Sequence, residues 1–206
     1  EGAAPAVAEA AADCAVPLVP VHQESRTAGR IRIDGREGSV PRAEPDDESL
    51  ALHTSGTTAK PKLVPLRHRN ICAAARNISG TLGLGADDRC LSAMPLFHVH
   101  GLVAALLASL YAGGSVWCAP GFSALRFYSW LEQANATWTT AVPTMYQALL
   151  SRAERNGGII AAHPLRLLRS SSAAMPGPVL SELETVFRAP VLESYGMTEA
   201  AQQICS

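Results

Sequence analysis

Apolar residues along most of the chain alternate between short runs typical of strands and longer stripes typical of helices. Apolar or β-branched runs predict strands at 50–53, 63–66, 91–94, 115–119, 137–142, 165–168 and 191–194. Helices are predicted at 70–82, 101–111, 122–134, from Pro143 to the Gly157–Gly158 pair, and at 176–187. This alternation predicts an α/β fold with a mostly parallel β-sheet flanked by helices. In such a fold, ligands bind beyond the carboxyl ends of the strands.

Some of these elements carry predictions about burial. The strand at 50–53 is expected to be buried, and the helix at 101–111 is apolar on nearly every side, as buried helices are. In the helix at 122–134, Leu125, Tyr128 and Leu131 would share one face. The strand at 191–194 is expected to be the last of the chain.

The beginning of the chain has a different character. An alanine-rich helix is predicted for residues 1–13 and a proline-interrupted edge strand for 16–21. Residues 26–36 contain four arginines and the Asp34–Gly35 pair. This pattern favours a hairpin with a solvated basic face over a binding patch. We therefore divide the chain into an N-terminal segment, 1–49, and an α/β core, 50–206.

Composition narrows the possible partners and the cellular compartment. With 206 residues and 48% hydrophobic content, the chain can bury the core of one domain or slightly more. A net charge of −1 with 17% charged residues argues against nucleic acid or a membrane surface as a partner. The five cysteines are scattered without a Cys-x-x-Cys pair and no secretory signal opens the chain, so buried free thiols in a reducing, cytoplasmic setting are expected.

One long stretch lacks charge but does not predict a membrane span. Residues 90–125 contain no Asp, Glu, Lys or Arg. A spanning helix requires about 20 unbroken apolar residues. The pairs Gly113–Gly114 and Pro120–Gly121 interrupt the stretch, which therefore predicts a buried helix and strand of a soluble core.

A hydroxyl-rich loop follows the strand at 50–53. Its polar and flexible residues are Thr54, Ser55, Gly56, Thr57, Thr58, Lys60 and Lys62. Backbone N–H groups, hydroxyls and ammonium charge suit a polyphosphate. The loop lacks the second glycine and the Gly-Lys-Ser/Thr ending of a Walker loop. Taken alone, the pattern fits a simple turn between two strands equally well.

Three further polar segments lie just after predicted strands, at 95–98, 170–174 and 195–199. Because parallel strands present their carboxyl ends at one edge, these segments and the hydroxyl-rich loop are expected to face one crevice.

Three of the segments together carry a family resemblance. Residues 54–62, Pro-Leu-Phe-His at 95–98 and Tyr-Gly-Met-Thr-Glu at 195–199 resemble, in order and spacing, motifs of the adenylate-forming superfamily. The residues at 64–66, 97–103 and 169–174 are most similar to those of its oxalate–CoA ligase branch. The resemblance implies that the chain is part of the large N-terminal domain of such an enzyme, with 50–206 as its nucleotide-binding core.

The resemblance also implies a reaction. An acid–CoA ligase converts a small carboxylic acid and ATP to an acyl-adenylate and pyrophosphate, and then forms a thioester with CoA. Mg²⁺ assists by binding carboxylate and phosphate oxygens. Two positions in or beside the loop depart from the family pattern: Ala59 stands where Gly or Ser is usual, and Leu63 where Gly is common. Ala59 removes backbone freedom from the loop.

By the same resemblance, individual residues receive roles. Glu199 would hold Mg²⁺, and Thr198, Glu199 and His98 would be the catalytic residues. The cofactor-binding residues would be Thr54, Ser55, Gly56, Thr57, Thr58, Lys62, Ser172, Ala173, Ala174, Tyr195 and Gly196.

Alternatives remain at several of these positions. Outside its motif, Glu199 would be interpreted as a solvated strand-end carboxylate. The small residues at 171–174 also fit a plain strand-to-helix turn. His98 and His100 have no third metal ligand nearby in sequence, which argues against a metal site. His100 is instead interpreted as a hydrogen-bonded packing residue. His53 and His68 receive no role.

Several parts of a family member are not found in this sequence. These are the ribose-binding aspartate, the hinge and the small domain with the catalytic lysine, and residues 1–49 would be an incomplete subdomain. We therefore expect a fragment of an acid–CoA ligase that is inactive alone and prone to self-association. The parent enzyme would be cytoplasmic, or peroxisomal in a eukaryote. The alternatives are an adenylation domain serving a carrier protein and a non-catalytic nucleotide-binding domain.

Overall fold

The computed structural model describes residues 5–15, 18–19, 21–23, 31–33, 42–54 and 61–206. The chain forms two compact units, Glu1–Arg42 and Ala43–Ser206. Within the described residues, no helix combines the length and apolarity required to cross a membrane.

The first unit contains a helix and a hairpin. Helix α1, Pro5–Asp13, confirms the predicted alanine-rich helix over these residues. Strand β1, Val21–Gln23, pairs antiparallel with β2, Ile31–Ile33. Of the hairpin predicted at 26–36, the described residues 31–33 do form a strand, but that strand pairs with Val21–Gln23, which precede the predicted segment. The Asp34–Gly35 pair lies outside the described residues.

A parallel sheet organises the second unit. In the part of the chain that the structure describes, its strands are β5 (Arg89–Ser92), β6 (Ser115–Cys118), β7 (Trp138–Ala141), β8 (Leu167–Ser170) and β9 (Val191–Glu193). They lie in the order β6-β5-β7-β8-β9 and every neighbouring pair is parallel. This confirms the predicted α/β fold with a parallel sheet.

Helices cover both faces of this sheet. They are α2 (His68–Leu82), α3 (Ala108–Tyr111), α4 (Phe127–Ala134), α5 (Pro143–Ala153), α6 (Gly157–Ala162) and α7 (Gly177–Phe187). Successive strand residues point to opposite faces. Leu91 and Leu168 therefore pack in one apolar cluster with residues of α4, α5 and α7. Cys90 and Leu167 pack in the other cluster with residues of α2 and of the segment before α3.

The segment before α3, His100–Leu107, is wound as a π-helix. Its wide turn is visible at the C-terminal end, where the Ala108 N–H donates to the Val103 carbonyl, five residues back. A Cβ atom at Gly101 would overlap the carbonyl oxygen of Pro95, so only glycine allows this close approach. The predicted burial is confirmed at Val103, Ala104 and Ala105, which have no exposed surface.

The strand that precedes the hydroxyl-rich loop does not belong to the parallel sheet. Strand β3, Glu48–His53, pairs antiparallel with β4, Leu63–Arg67, in a separate two-stranded sheet. The prediction that β3 is buried is wrong, since its residues are exposed or half-buried. Only Leu50 and Leu52 pack against the core, because this sheet is covered on one face.

Three element boundaries also differ from the predictions. Leu125 is 74% exposed and precedes α4, because that helix begins at Phe127. Gly157 does not end a long helix: α5 stops at Ala153 and Gly157 begins α6. The chain also continues beyond β9 into an antiparallel hairpin of β10 (Tyr195–Met197) and β11 (Gln202–Cys205), so the strand at 191–194 is not the last.

The cysteines are free, as expected, but mostly not buried. Cys90 lies inside β5 with no exposed surface, and burial raises the pKa of its thiol well above the usual value. Cys14, Cys72, Cys118 and Cys205 are exposed. The expectation of buried thiols is therefore wrong for four of the five residues.

An ion pair and its hydrogen bonds connect the residues just before β5, β7 and β8, at the edge of the sheet opposite the predicted site. The Arg166 guanidinium donates to both carboxylate oxygens of Asp88, at 3.1 and 2.9 Å. The Thr137 hydroxyl and the Gly85 N–H also donate to Asp88. Burial by itself would raise the pKa of Asp88, but these hydrogen bonds and the charge of Arg166 hold that pKa below its usual value.

We expect Asp88→Asn to lower the free energy of unfolding at pH 7 by about 1–2 kcal/mol, as for the loss of charge-assisted hydrogen bonds. The Arg166 side chain is 44% exposed, so solvent screens part of the attraction. Because the folded pKa of Asp88 lies below 3.8, its contribution is complete above that pH and is lost as the pH falls further. Urea unfolding from pH 3 to 7 measures this. Asp87→Asn, at an exposed neighbour, is the control, and equal losses in the two variants would contradict the prediction.

Candidate active site

Two of the predicted loops meet beyond the carboxyl ends of the parallel strands. The loop after β8 is tied to the chain after β9, since the Ser171 hydroxyl donates to the Ser194 carbonyl over 3.0 Å. The segment after β5 reaches the same place through His100, whose Nδ1 lies 3.1 Å from the hydroxyl oxygen of Ser172. This edge is where ligands of open α/β sheets bind.

A cavity of about 590 Å³ opens between these loops. Its lining consists of Ser172, Ala173, Ala174, Glu193, Ser194, Tyr195, Gly196, Cys205 and Ser206. The volume is within the range of small-molecule pockets. The cavity therefore brings together the small residues after β8 and the first two residues of the Tyr-Gly-Met-Thr-Glu motif.

The turn that holds the small residues is conformationally restricted. Ser172 has a φ of +74°, which is uncommon for a residue with a side chain. The Met175 N–H donates to the Glu193 carboxylate over 2.8 Å, and Pro176 directly precedes α7. The plain strand-to-helix turn that the sequence allows is thus present. Its first residue is held in a strained conformation at the wall of the cavity, as functional turns often are.

The hairpin that carries Tyr195 and Gly196 requires glycine. A Cβ atom at Gly196 would overlap the carbonyl oxygen of Gln202 on β11. The connection is tight because Ala201 and Gln202 have φ values of +54° and +110°. The close strand contact therefore explains the glycine in structural terms alone.

Thr198 and Glu199 lie on the short 3₁₀ turn between β10 and β11. Thr198 is half-buried and its carbonyl accepts the Ala201 N–H over 3.0 Å, while Glu199 is exposed. The turn contacts β4, the strand that follows Lys62 directly. The Thr198–Ala200 turn thus packs against the strand that leaves the hydroxyl-rich loop, although the two are far apart in sequence.

The hydroxyl-rich loop is closed at its base. The Thr54 N–H donates to the Lys62 carbonyl over 2.9 Å, and the Lys62 N–H donates to the Thr54 hydroxyl over 3.3 Å. Lys62 is exposed. The predicted phosphate-binding residues Ser55, Gly56, Thr57 and Thr58 lie outside the described residues, as do Ala59 and Lys60. Their predicted roles stay predictions.

His98 is exposed and lies beside the cavity loops. Its Nδ1 accepts the N–H of His100 over 3.2 Å, which fixes the orientation of its ring. The preceding Phe97 is 81% exposed and lines a second, mostly apolar cavity of about 470 Å³ together with Met94, Pro95 and Phe122. Over the described ranges, His, Cys, Asp and Glu side chains form no group of three or more that could hold a metal ion.

A buried cation beneath the cavity was not singled out from the sequence. Arg169 on β8 has no exposed surface, and burial lowers its pKa to about 10. Its Nη2 donates to the amide oxygens of Gln202 and Gln203, at 2.8 and 3.0 Å. Among the described residues, no carboxylate forms an ion pair with it. The available signal was an arginine directly after the predicted strand at 165–168 and its apolar Leu167–Leu168 pair.

His100 is buried next to this cation. Burial, the charge of Arg169 and nearby His98 lower its pKa to about 3, so the imidazole is neutral at physiological pH. Its Nε2 lies 2.7 Å from the hydroxyl oxygen of Thr140, and its Nδ1 contacts Ser172. The interpretation of His100 as a hydrogen-bonded packing residue therefore describes its surroundings but omits its contact with the cavity wall.

The sequence is similar to one protein family and to several known enzymes. The family described as AMP-binding enzyme matches residues 3–206. Oxalate–CoA ligase of Arabidopsis thaliana is 46% identical over 170 residues, covering 79% of this chain and 32% of the relative. Oxalate–CoA ligase of Saccharomyces cerevisiae is 42% identical over 165 residues, covering 80% and 30%. The chain thus spans about a third of the length of these relatives.

A solved structure agrees with the fold. The o-succinylbenzoate CoA synthetase of Bacillus subtilis, in complex with ATP and a magnesium ion, matches with a TM-score of 0.68 and 32% identity, covering 79% of this chain and 33% of that one. Three observations agree: the motifs that resemble those of adenylate-forming enzymes, the parallel sheet, and the family match over nearly the whole chain. The chain belongs to the AMP-binding enzyme family, whose similar members here are CoA ligases.

Proposed function

We propose that this chain supplies the nucleotide-binding core of an ATP-dependent acid–CoA ligase that acts on oxalate or another small acid. The observation that carries the proposal is the convergence of residues 172–174 and 193–196 on one cavity at the carboxyl edge of the sheet. Its position is the one that nucleotides occupy in open α/β sheets. The similarity to oxalate–CoA ligases supports both the reaction class and the choice of acid.

In this proposal the cavity between the small residues and Tyr195 receives the adenine. Ala173 and Ala174 have side chains short enough for a flat base to lie against the backbone. Tyr195 is 63% exposed and offers a ring face at the cavity wall. Gly196 permits the close strand contact that holds Tyr195 in place.

The phosphates extend from this cavity towards the Thr198–Ala200 turn and the base of the hydroxyl-rich loop. Thr198 donates a hydrogen bond to the α-phosphate, while Lys62 and the loop hydroxyls neutralise the outer phosphates. The exposed Glu199 carboxylate fits a hard cation that prefers oxygen ligands, so it would hold Mg²⁺ together with the phosphate oxygens. When bound, Mg²⁺ withdraws charge from the phosphate oxygens.

The chemistry then requires alignment of two anions. A carboxylate oxygen of the acid attacks the α-phosphorus, and the bond to the bridging oxygen breaks so that pyrophosphate leaves with the electron pair. The chain contributes charge neutralisation and orientation to this step. In this proposal His98 orients the acid beside the nucleotide, and the His100 N–H fixes the orientation of its ring. In the second step the sulfur of CoA attacks the acyl carbon of the adenylate, the bond from that carbon to the phosphate oxygen breaks so that AMP leaves, and the thiol proton is released.

Calorimetric titration with ATP in the presence and absence of Mg²⁺ tests the proposal for this chain. We expect saturable binding that requires Mg²⁺, because phosphate charge must be neutralised in the site. The same titration with GTP tests recognition of the base. Heat that is equal for the two nucleotides, or that does not depend on Mg²⁺, would contradict a specific ATP site.

The substrate requires the full-length protein that contains this chain. With ATP, CoA and Mg²⁺ present, we expect release of pyrophosphate with oxalate to exceed that with acetate or malonate. A preference for malonate or acetate would overturn the choice of oxalate while leaving the ligase reaction intact.

The prediction of self-association is tested separately. Twelve large apolar side chains, including Phe97, Leu125 and Tyr195, are exposed among the described residues. We propose that these exposed side chains promote association of the isolated chain. A monodisperse monomer in analytical ultracentrifugation would argue against it.

A further inference from the structure

Four polar side chains form a continuous line from the buried cation to the cavity. Arg169 Nη1 lies 3.5 Å from Thr140 Oγ1. Thr140 Oγ1 lies 2.7 Å from His100 Nε2, and His100 Nδ1 lies 3.1 Å from Ser172 Oγ. Thr140 and Arg169 are direct partners in the register of β7 and β8, so their positions are set by the sheet.

We propose that Arg169, Thr140 and His100 are positioning residues that orient the Ser172 hydroxyl as a hydrogen-bond donor into the cavity, for an anionic oxygen of the ligand. The inference deepens the proposed function, because it assigns a polarity to one wall of the same site.

The direction of the hydrogens follows from the chemistry of each group. An arginine only donates, so the Thr140 oxygen faces the guanidinium as an acceptor. The Thr140 hydroxyl has one hydrogen, and its other hydrogen-bond partner is His100 Nε2. If Nε2 were the donor, the hydrogen of the buried Thr140 hydroxyl would have no acceptor among the contacts of the described residues, which is costly. That hydrogen is therefore assigned to Nε2, as the unprotonated nitrogen.

The next link reverses the role of the ring. A neutral imidazole carries one hydrogen, so an unprotonated Nε2 requires a hydrogen on Nδ1. Nδ1–H then donates to Ser172 Oγ. Since the Ser172 oxygen already accepts this bond, its own hydrogen is directed elsewhere, and the exposed side of Ser172 is the cavity wall.

The surroundings of His100 keep the directions of these hydrogen bonds unchanged as the pH changes. The ring is fully buried, and among the described residues the ionisable side chains that act on it are those of Arg169 and His98. Burial and the positive charge of Arg169 both oppose a second proton, which is why the pKa of His100 is lowered to about 3. A doubly protonated ring, which would have to donate towards Thr140, is thereby excluded at neutral pH.

The cation itself is held independently of the line. The amide oxygens of Gln202 and Gln203 accept from Nη2, and no carboxylate among the described residues neutralises the charge. An uncompensated buried charge is costly, so its retention calls for a role. In this arrangement the charge acts through Thr140 and His100, and it does not touch the ligand.

The resulting donor fits carboxylate and phosphate oxygens alike. Both are acceptors without hydrogens at neutral pH, and a fixed donor requires no reorientation when they bind. The strained φ of Ser172 is consistent with a hydroxyl that is held at the wall of the cavity.

The tautomer of His100 tests the polarity without any ligand. In ¹⁵N-histidine-labelled chain, we expect the buried His100 ring to carry its hydrogen on Nδ1 from pH 5 to 8 and not to titrate. Thr140→Val removes the hydroxyl at nearly constant volume and should shift the ring towards the Nε2–H tautomer. A ring with the hydrogen on Nε2, or one that titrates in this range, would overturn the proposal.

Thr139→Val is a matched control on the same strand. Thr139 is also buried, and its hydroxyl donates to the Leu91 carbonyl over 2.8 Å. Adjacent strand residues point to opposite faces, so this variant loses a buried hydroxyl away from His100. We expect it to leave the tautomer unchanged, and an equal shift in both variants would show a general packing effect.

Ligand binding identifies what the donor serves. Calorimetric titrations with Mg·ATP, with adenosine and with oxalate compare wild type, Thr140→Val and Thr139→Val. We expect Thr140→Val to weaken the ligand held by Ser172 about three- to tenfold, as for one hydrogen bond, and Thr139→Val to have no effect. Weakening of Mg·ATP but not of adenosine assigns a phosphate oxygen, and weakening of oxalate alone assigns a carboxylate. Equal weakening of adenosine would place the base at Ser172 and overturn the anionic acceptor.

Failure of the proposed function and failure of the positioning role give different results. If the wild-type chain binds neither ligand, the proposed function fails for this chain, while the His100 tautomer still decides the polarity. If ligands bind and Thr140→Val binds them as tightly as wild type, the positioning role is wrong and the proposed function stands.

Discussion

Replacing Glu199 by glutamine should weaken Mg²⁺-dependent ATP binding about 30- to 150-fold. Glu199 is an exposed carboxylate on the turn beside β4, where Lys62 and the phosphate chain are proposed to meet. Glutamine keeps the size and removes the charge, so the change isolates the attraction between carboxylate and cation. A charge-assisted contact of about 2–3 kcal/mol corresponds to this loss.

The measurement is a calorimetric titration with ATP at several Mg²⁺ concentrations. Glu182→Gln is the matched control, because Glu182 is an exposed carboxylate on α7 that lines a different cavity, with Leu150 and Phe187. We expect the control to bind as wild type does. If Glu199→Gln retained the wild-type Mg²⁺ dependence, the assignment of Glu199 to the cation would be wrong.

Replacing Gly196 by alanine should lower the free energy of unfolding by about 2–3 kcal/mol, in the range of overpacking in a close contact. The added Cβ would overlap the carbonyl oxygen of Gln202. That oxygen belongs to the backbone of β11 and cannot rotate away as a side chain does. Ala201 and Gln202 already have positive φ values, so the connection has little freedom to absorb a shift.

The same substitution should also disturb the site. Gln202 accepts a hydrogen bond from Arg169, and Tyr195 precedes Gly196 on the cavity wall, so displacement of the hairpin affects both. Urea unfolding and the ATP titration measure the two effects. Gly177→Ala is the control, since a Cβ at Gly177 meets no atom within 4 Å. Similar stability losses at both glycines would rule out the strand overlap as the cause.

The sequence by itself determined the fold class and the regions of the site. Short apolar or β-branched runs identify the strands of the parallel sheet and helical stripes identify most of its helices, because these elements must bury their apolar residues. Pro143 marks the start of α5, since proline suits the first turn of a helix. The loops after β8 and β9 were predictable as neighbours, because parallel strands end at a common edge.

Local pattern failed where elements pair or pack with distant parts of the chain. The apolar run at 50–53 is compatible with a buried parallel strand or with an edge hairpin, and only its partner β4 decides between them. Leu125 fits a helical stripe, but α4 starts two residues later and leaves it exposed. Pattern records what a residue prefers, whereas burial depends on what covers it.

The tertiary structure alone decided the buried polar line beneath the cavity. Arg169, Thr140, His100 and Ser172 come from separate elements, and no spacing along the chain predicts their contacts. The sheet register sets Thr140 beside Arg169, and the π-helix brings the His100 ring to both Thr140 and Ser172. Hydrogen bonds act over about 3 Å, so a network of this kind exists only once the strands and helices have been packed together.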